Sequence, residues 1–261
     1  LQKPEAPFLA NLAMNFAAIV SPTAAAKFGA DFPSNPVGTG PFKFVSLTKD
    51  DNHVLERFDG YWGKKAYLDR VILKVIPDGT ARYLALKKGE IDIMDFPAAA
   101  DIPAIQADAN LKIVSQAGLN VGYLALNTQK KPFDDKRVRQ ATDHAIDKKE
   151  ILDAVYASLG TPAVNPIPPD MGSYDKDVKD YAYDPEKAKK LLAEAGFPSG
   201  FSTTLWAMPV SRPYNPNGRK VAEIMQAQLA KVGVKAEIVS YEWGTYLDKT
   251  DHGEHDMALL G

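Results

Sequence analysis

The chain has 261 residues, 45% of them hydrophobic and 25% charged, enough to bury a sizeable core and unlike a disordered or fibrous composition. A formal net charge of −2 excludes a surface built to hold nucleic acid or an anionic membrane. With no cysteine, disulfides, thiol nucleophiles and thiolate metal sites are excluded together, while the compartment stays undecided.

The apolar stretch FLANLAMNFAAIV near the start is interrupted by Asn11 and Asn15 and is too short to span a bilayer, so it reads as a buried helix. The chain begins at Leu1 without an initiator Met or a basic-then-apolar leader; either a signal has been removed or this is a piece of a longer protein. NPVGTG (35–40) is a turn cluster, and FKFVSL and HVLERF answer one another across KDDN as a hairpin. RVILKVIPD is a strand stopped by Pro77-Asp78-Gly79. TARYLALKK reads as a helix with Gly89 at C′, followed by a strand at 91–94, a short helix capped by Asp101, and a strand at LKIVS.

After residue 117 the pattern changes. GLNVGYLALN is a strand apolar on both faces, interrupted by Asn120 and Gly122. Val138, Ala141, Ala145 and Ile146 form one helical stripe, preceded by Asp134 and Asp135, which suit a helix start better than acid–base catalysis. Asp147 to Glu150 resembles a capping box that opens a second helix running through Ile151, Val155 and Leu159. A Pro-rich loop follows. DPEKAKKLLAEAG is a helix with Asp at N-cap, Pro at N1 and Gly at C′. FSTTLWAM (strand), VAEIMQAQLAKVGV (helix, closed by Gly233) and AEIVSYEW (strand) form a β-loop-α-β order, which implies parallel pairing. No internal repeat stands out.

In WAMPVSRPYNPN (206–217) a single arginine lies between that first strand and its helix, off a strand's carboxyl end, where ligands of α/β sheets usually bind. Pro209, Pro213 and Pro216 fix three φ angles, so Arg212 is presented with little freedom. Its planar fork suits a carboxylate held bidentately, and pairing with a structural surface acid is the competing reading. Tyr214, Trp206 and Trp243 are candidates to line a cleft or to pack in the core; Trp62 in FDGYWG could stack on a ligand or pack under the hairpin. His252 and His255 in DHGEHD have metal-like neighbours, but Gly253 breaks the helix a zinc site would need, so no metal and no cofactor is expected. GTG at 38–40 lacks the Lys-Ser/Thr and helix of a phosphate loop.

NPVGTGPFKF, FDGYWG, ARYLALKKGEIDIM, GLNVGYLALNTQKKPFDDKRVRQA, YDPEKAKKLLAEAG and WAMPVSRPYNPNGRKVAEIMQAQLAKVGVKAEIV occur in an order and spacing that resemble the periplasmic dipeptide-binding proteins. These belong to the peptide- and nickel-binding group of ABC-transporter solute receptors. The likeness runs from about Lys3 to Gly261. It implies an α/β, two-lobed periplasmic-binding-protein-like fold of type II. Residues 1–117 would be part of lobe I, residues 118–261 most of lobe II, and the hinge would lie near 117–118.

By the same resemblance, Arg212 occupies the place of the arginine that binds a peptide's α-carboxylate, and Asn120 and Gly122 lie where an extended ligand could run along the cleft. It also implies a monomeric, non-catalytic periplasmic receptor that passes a dipeptide or short peptide to an ABC permease, with no nucleic-acid partner. The family's aspartate for the ligand ammonium follows the position of Gly261, so Leu1 and Gly261 are expected to be internal boundaries of a receptor. Another small zwitterion or a metal chelate is the alternative ligand. An α/β peptidase or hydrolase is the alternative class, against which stand the lack of a GxSxG elbow, an HExxH motif and any cysteine.

Overall fold

A computed structural model describes residues 2–116, 118–157 and 159–261. The chain divides into two units, Leu1–Arg82 and Tyr83–Gly261. The hinge expected near 117–118 falls at Ala117, outside the described residues.

In the first unit the expected hairpin forms. β1 (Phe42–Thr48) pairs antiparallel with β2 (Asn52–Arg57), and β3 (Arg70–Lys74) adds antiparallel to β2, making a three-stranded sheet. A register shift between Phe44 and Ser46 turns Val45 outward. Ahead of the sheet lie α1 (Phe8–Leu12) and α2 (Pro22–Phe28), the latter capped by the Ser21 side chain, which accepts from the Ala24 N–H. The expectation of a buried helix over FLANLAMNFAAIV is corrected: α1 is five residues long, nothing in it is buried, and Phe16 is 81% exposed. Trp62 is also exposed and not packed under the hairpin; its indole N–H donates to the Thr39 carbonyl (3.2 Å), and its ring lies 5.1 Å from that of Tyr61.

α3 (Gly79–Lys87) carries the division between the units. It ends as expected: Gly89 has φ +73°, and the Gly89 and Glu90 N–H groups donate back to Leu86 and Ala85, so the last carbonyls are satisfied. The strands expected at 91–94 and in LKIVS do not form, and Ile93 and Val114 stand exposed. β-branched composition favours a strand, but a strand needs a neighbour to complete its ladder, and among the described residues none pairs with these segments. α4 (Ile102–Ala107) follows, with Asp101 at its N-cap position.

The rest of the second unit is built on a sheet of β4 (Tyr123–Leu126), β5 (Ser202–Trp206), β6 (Lys235–Val239) and β7 (Met257–Leu260), in the order β4-β7-β5-β6. β5 is parallel to both β6 and β7, as the β-loop-α-β reading requires of β5 and β6, and β4 is antiparallel to β7. Between β4 and β6 the chain forms α5 (Lys136–Ala145), α6 (Lys148–Val155), α7 (Pro185–Glu194) and α8 (Gly218–Ala230). Their starts are the ones the sequence marks. The carboxylates of Asp135, Asp147 and Asp184 each accept N–H bonds at an N-cap, and the Asn217 amide does the same for α8. Apolar faces of these helices close over the sheet with Phe133, Val138, Leu192, Leu205, Leu229 and Met257 essentially sealed. Gln228, 1% exposed, ties α8 to α6 by accepting from the Asp147 N–H and donating to Glu150.

Differences from the sequence reading are local. The strand expected over GLNVGYLALN contracts to Tyr123–Leu126, and α6 stops at Val155, short of the exposed Leu159. AEIVSYEW ends its strand at Val239, because Glu242 caps α9 (Trp243–Asp251), an element absent from the sequence reading along with β7.

One close backbone crossing fixes the ends of α7 and α8 relative to each other. Gly196 and Gly233 close the two helices with positive φ, and Gly200 (φ +76°) runs so near Gly233 that a Cβ on Gly200 would sit 1.9 Å from its carbonyl oxygen. Gly200→Ala is therefore expected to destabilise the fold by more than about 1 kcal/mol through strain and collision together. A denaturation midpoint unchanged from wild type would contradict the crossing.

Candidate ligand-binding site

The loop from Pro209 to Asn217 leaves the carboxyl end of β5. Its entry is pinned by the Ala207 N–H donating to Val239 (2.8 Å) and the Ser240 hydroxyl donating to Ala207 (2.9 Å), which continue the β5–β6 pairing beyond the strands. Its exit is pinned by the Asn217 cap and by Gly218, where a side chain would collide with Met208 backbone. Between these anchors Arg212 and Asn215 exchange both backbone hydrogen bonds at 3.0 Å, so Pro213-Tyr214 is the tip of a tight reversal. The prolines and this closed pair stiffen the segment, as expected.

A second clamp comes from below. The Tyr156 hydroxyl donates to the Tyr214 carbonyl oxygen (2.8 Å), and burial pushes the Tyr156 phenol above its ordinary pKa. Gly122 lies against the same oxygen: a Cβ there would stand 2.4 Å from it. Close approach at Gly122 is thus an approach to this chain's own loop. The Tyr214 ring lies over Gly261 just as closely, a Cβ there falling 2.2 Å from the ring.

Arg212 is half-buried as a residue, and its guanidinium carbon sits 4.9 Å from the centroid of the Trp243 ring. Such a contact is worth about 0.5–2 kcal/mol. Among the described residues no carboxylate lies within ion-pair distance of Arg212; its one side-chain hydrogen bond goes to the neighbouring Ser211 carbonyl (3.2 Å). The acid next to Trp243 is committed elsewhere. Glu242 accepts from the N–H groups at the start of α9, Gly244 foremost, which hold its carboxyl below the usual range. The competing reading of Arg212, a surface arginine paired with a structural acid, is not what the geometry shows.

Trp243 stacks on Tyr246 (5.5 Å, 23°), which is fully buried and donates its hydroxyl toward the carbonyls of Trp206 (3.0 Å) and Leu259 (2.9 Å). Burial pushes the Tyr246 phenol well above its ordinary pKa. Trp206 lies beneath this surface, 3% exposed and edge-on to Tyr241, Tyr246 and His255. Arg212, Tyr214, Trp243 and Gly122 are therefore brought together around one loop, Trp206 backs them from the core, and Asn120 is exposed in the irregular run before β4. Tyr156 and Tyr246 were missed from sequence because their roles rest on long-range contacts with no local signature.

The DHGEHD turn is structural. Asn127 donates to the carbonyls of Gly253 and His255, while Asp256 accepts from Thr203 and Thr204 and lies 3.7 Å from Lys130. His252 faces Asp248, and burial beside Trp206 lowers the His255 pKa. Among the described residues no group of three or more His, Asp or Glu is arranged to hold a metal ion.

Three comparisons bear on this arrangement. The model for bacterial extracellular solute-binding proteins, family 5 (Middle), matches residues 1–261. The dipeptide-binding protein of Escherichia coli (strain K12) is 51% identical over 266 residues, covering 100% of this chain and 50% of that protein; heme-binding protein A of Haemophilus influenzae is 45% identical over 266 residues, covering 100% and 49%. The solved structure of the ABC transporter-associated periplasmic binding protein DppA from Helicobacter pylori, in complex with peptide STSA, superposes with a TM-score of 0.85 at 41% identity, covering 98% of this chain and 50% of that one.

Fold and likeness together place the chain in the α/β, two-lobed periplasmic-binding-protein-like class, in its peptide-binding group. Within that class it belongs to the bacterial extracellular solute-binding proteins of family 5. The chain spans about half the length of the curated relatives it matches.

Substituting Gly122 by Ala is expected to push the Tyr214 carbonyl away, break the Tyr156 bond and cost about 1–3 kcal/mol of stability. Tyr156→Phe, which removes only the hydrogen bond, should cost about 0.5–1.5 kcal/mol. Urea titration of both variants checks the order; Gly122→Ala at wild-type stability would mean the loop is not held there.

Proposed function

We propose that this chain is part of a non-catalytic, periplasmic solute receptor of an ABC importer that binds a dipeptide or short peptide, with Arg212 holding the ligand's free carboxylate. One observation carries the reading: a stiff loop at the carboxyl end of β5 presents a guanidinium that no acid among the described residues neutralises. Trp243 lies against that cation, Tyr214 follows on the same loop, Trp206 packs beneath Tyr246, and Gly122 and Asn120 lie on the run that leads into β4. Residues 1–117 and 118–261 are assigned to the first and second lobes.

A ligand that touches both lobes stabilises the closed form, which a permease can tell from the open one. The receptor needs no cofactor and acts as a monomer. The similar proteins are named as binding proteins, which favours a receptor over the hydrolase reading. The names of the relatives cover peptides and heme, so another small zwitterion or a chelate is the second reading, and native mass spectrometry of ligand co-purified with the full-length protein separates the two.

Leaving a ligand carboxylate without its cation costs about 3–5 kcal/mol. Arg212→Ala in the full-length protein is therefore expected to weaken binding of Ala-Phe by about two to four decades in calorimetry. A loss smaller than about threefold would refute the role, and release of free alanine from Ala-Phe would end the receptor-only reading.

A further inference from the structure

The guanidinium can be held in two independent ways. Its flat face stacks on an aromatic ring, while its in-plane N–H donors form hydrogen bonds at its edge. The Trp243 ring takes the first at 4.9 Å. At the edge, the one side-chain bond it makes among the described residues is the 3.2 Å contact with Ser211, which leaves its other N–H donors to a guest. Stacking therefore leaves the recognition edge unspent while removing the freedom of the guanidinium plane to swing.

Trp243 is itself held. It opens α9, whose first turn is capped by Glu242, and its ring lies on Tyr246, which the carbonyls of Trp206 and Leu259 anchor in the sealed core. A continuous chain of fixed groups thus runs from the β5–β7 core through Tyr246 and Trp243 to the arginine plane. A packed aromatic with no such task would not require an unneutralised cation on its outer face.

We propose that Trp243 is a positioning and specificity-determining residue of the Arg212 site: by stacking on the guanidinium it sets the plane of the fork, so that planar carboxylates are gripped by two parallel N–H bonds. The inference rests on the carboxylate reading above and goes beyond it, because it predicts that Trp243 acts on the ligand's carboxylate through Arg212 and not by lining space. Its signature is selectivity between a free acid and the same ligand with that charge removed.

The test is a double-mutant cycle in the full-length protein, with Ala-Phe and Ala-Phe amide titrated by calorimetry against wild type, Arg212→Gln, Trp243→Leu and the double variant. Trp243→Leu is expected to weaken Ala-Phe by about five- to tenfold and the amide by less than about threefold. In the Arg212→Gln background it should change neither by more than about threefold. Trp243→Phe keeps a ring of smaller quadrupole and similar packing; it should lose affinity for the acid by an intermediate amount, and it serves as the readout if the leucine variant unfolds. Equal losses for acid and amide, or losses that persist without Arg212, overturn the positioning role while leaving the arginine's own role intact. If Arg212→Gln weakens acid and amide equally, the carboxylate reading falls, and this inference falls with it.

Discussion

The presentation of Arg212 depends on one backbone crossing, where Gly122 passes under the Tyr214 carbonyl and Tyr156 bonds to the same oxygen. A loop held only at its two ends would sample many states, and ordering it on binding would oppose affinity. Here the tip is fixed from below, the Arg212–Asn215 pair closes it laterally, and the prolines remove φ freedom along its length. Most of the ordering cost is thus met when the unit folds, not when a ligand arrives.

Electrostatics completes the arrangement by what it withholds. Two acids on the flanking helices have work elsewhere: Glu242 caps α9, and Glu223 pairs with Arg219 one turn along α8. A carboxylate beside Arg212 would have to be displaced by any anionic guest, and the exchange would return little net free energy. An aromatic face steadies the cation without occupying its donors, because ring and fork interact along perpendicular directions. Stability and receptivity are therefore separable at this residue, which they are not when an arginine is fixed by an ion pair.

Much of this architecture was legible in the sequence, and the pattern of success has a physical cause. Features written in adjacent residues were read correctly: the N-caps at Asp135, Asp147 and Asp184, the C′ glycines at Gly89 and Gly196, the hairpin across KDDN, and the parallel β5–β6 unit. Features decided by distant partners were not. Ile93 and Val114 have strand composition but no strand beside them, and FLANLAMNFAAIV has core composition while Leu9 and Phe16 are exposed. An apolar pattern states that a face seeks burial; it does not state what will bury it, least of all in a chain spanning about half the length of its curated relatives. At the site the same division holds: the proline-locked arginine is a local signal, whereas Tyr156 and Tyr246 act across 58 and 40 residues of sequence.

The unforeseen strand explains why the site cannot assemble locally. β4 and β5 do not pair with each other; β7, contributed by the last residues, lies between them and hydrogen-bonds to both. Leu259 on that strand receives the Tyr246 hydroxyl, and Gly261 at its end meets the Tyr214 ring, so both supports of the Arg212 loop rest on the same late insertion. Non-local closure of this kind is slow to form but cooperative once made. Loosening β7 would thus release Trp243 and Tyr214 together, which makes the order of the arginine a property of the completed sheet and not of the proline-rich loop alone.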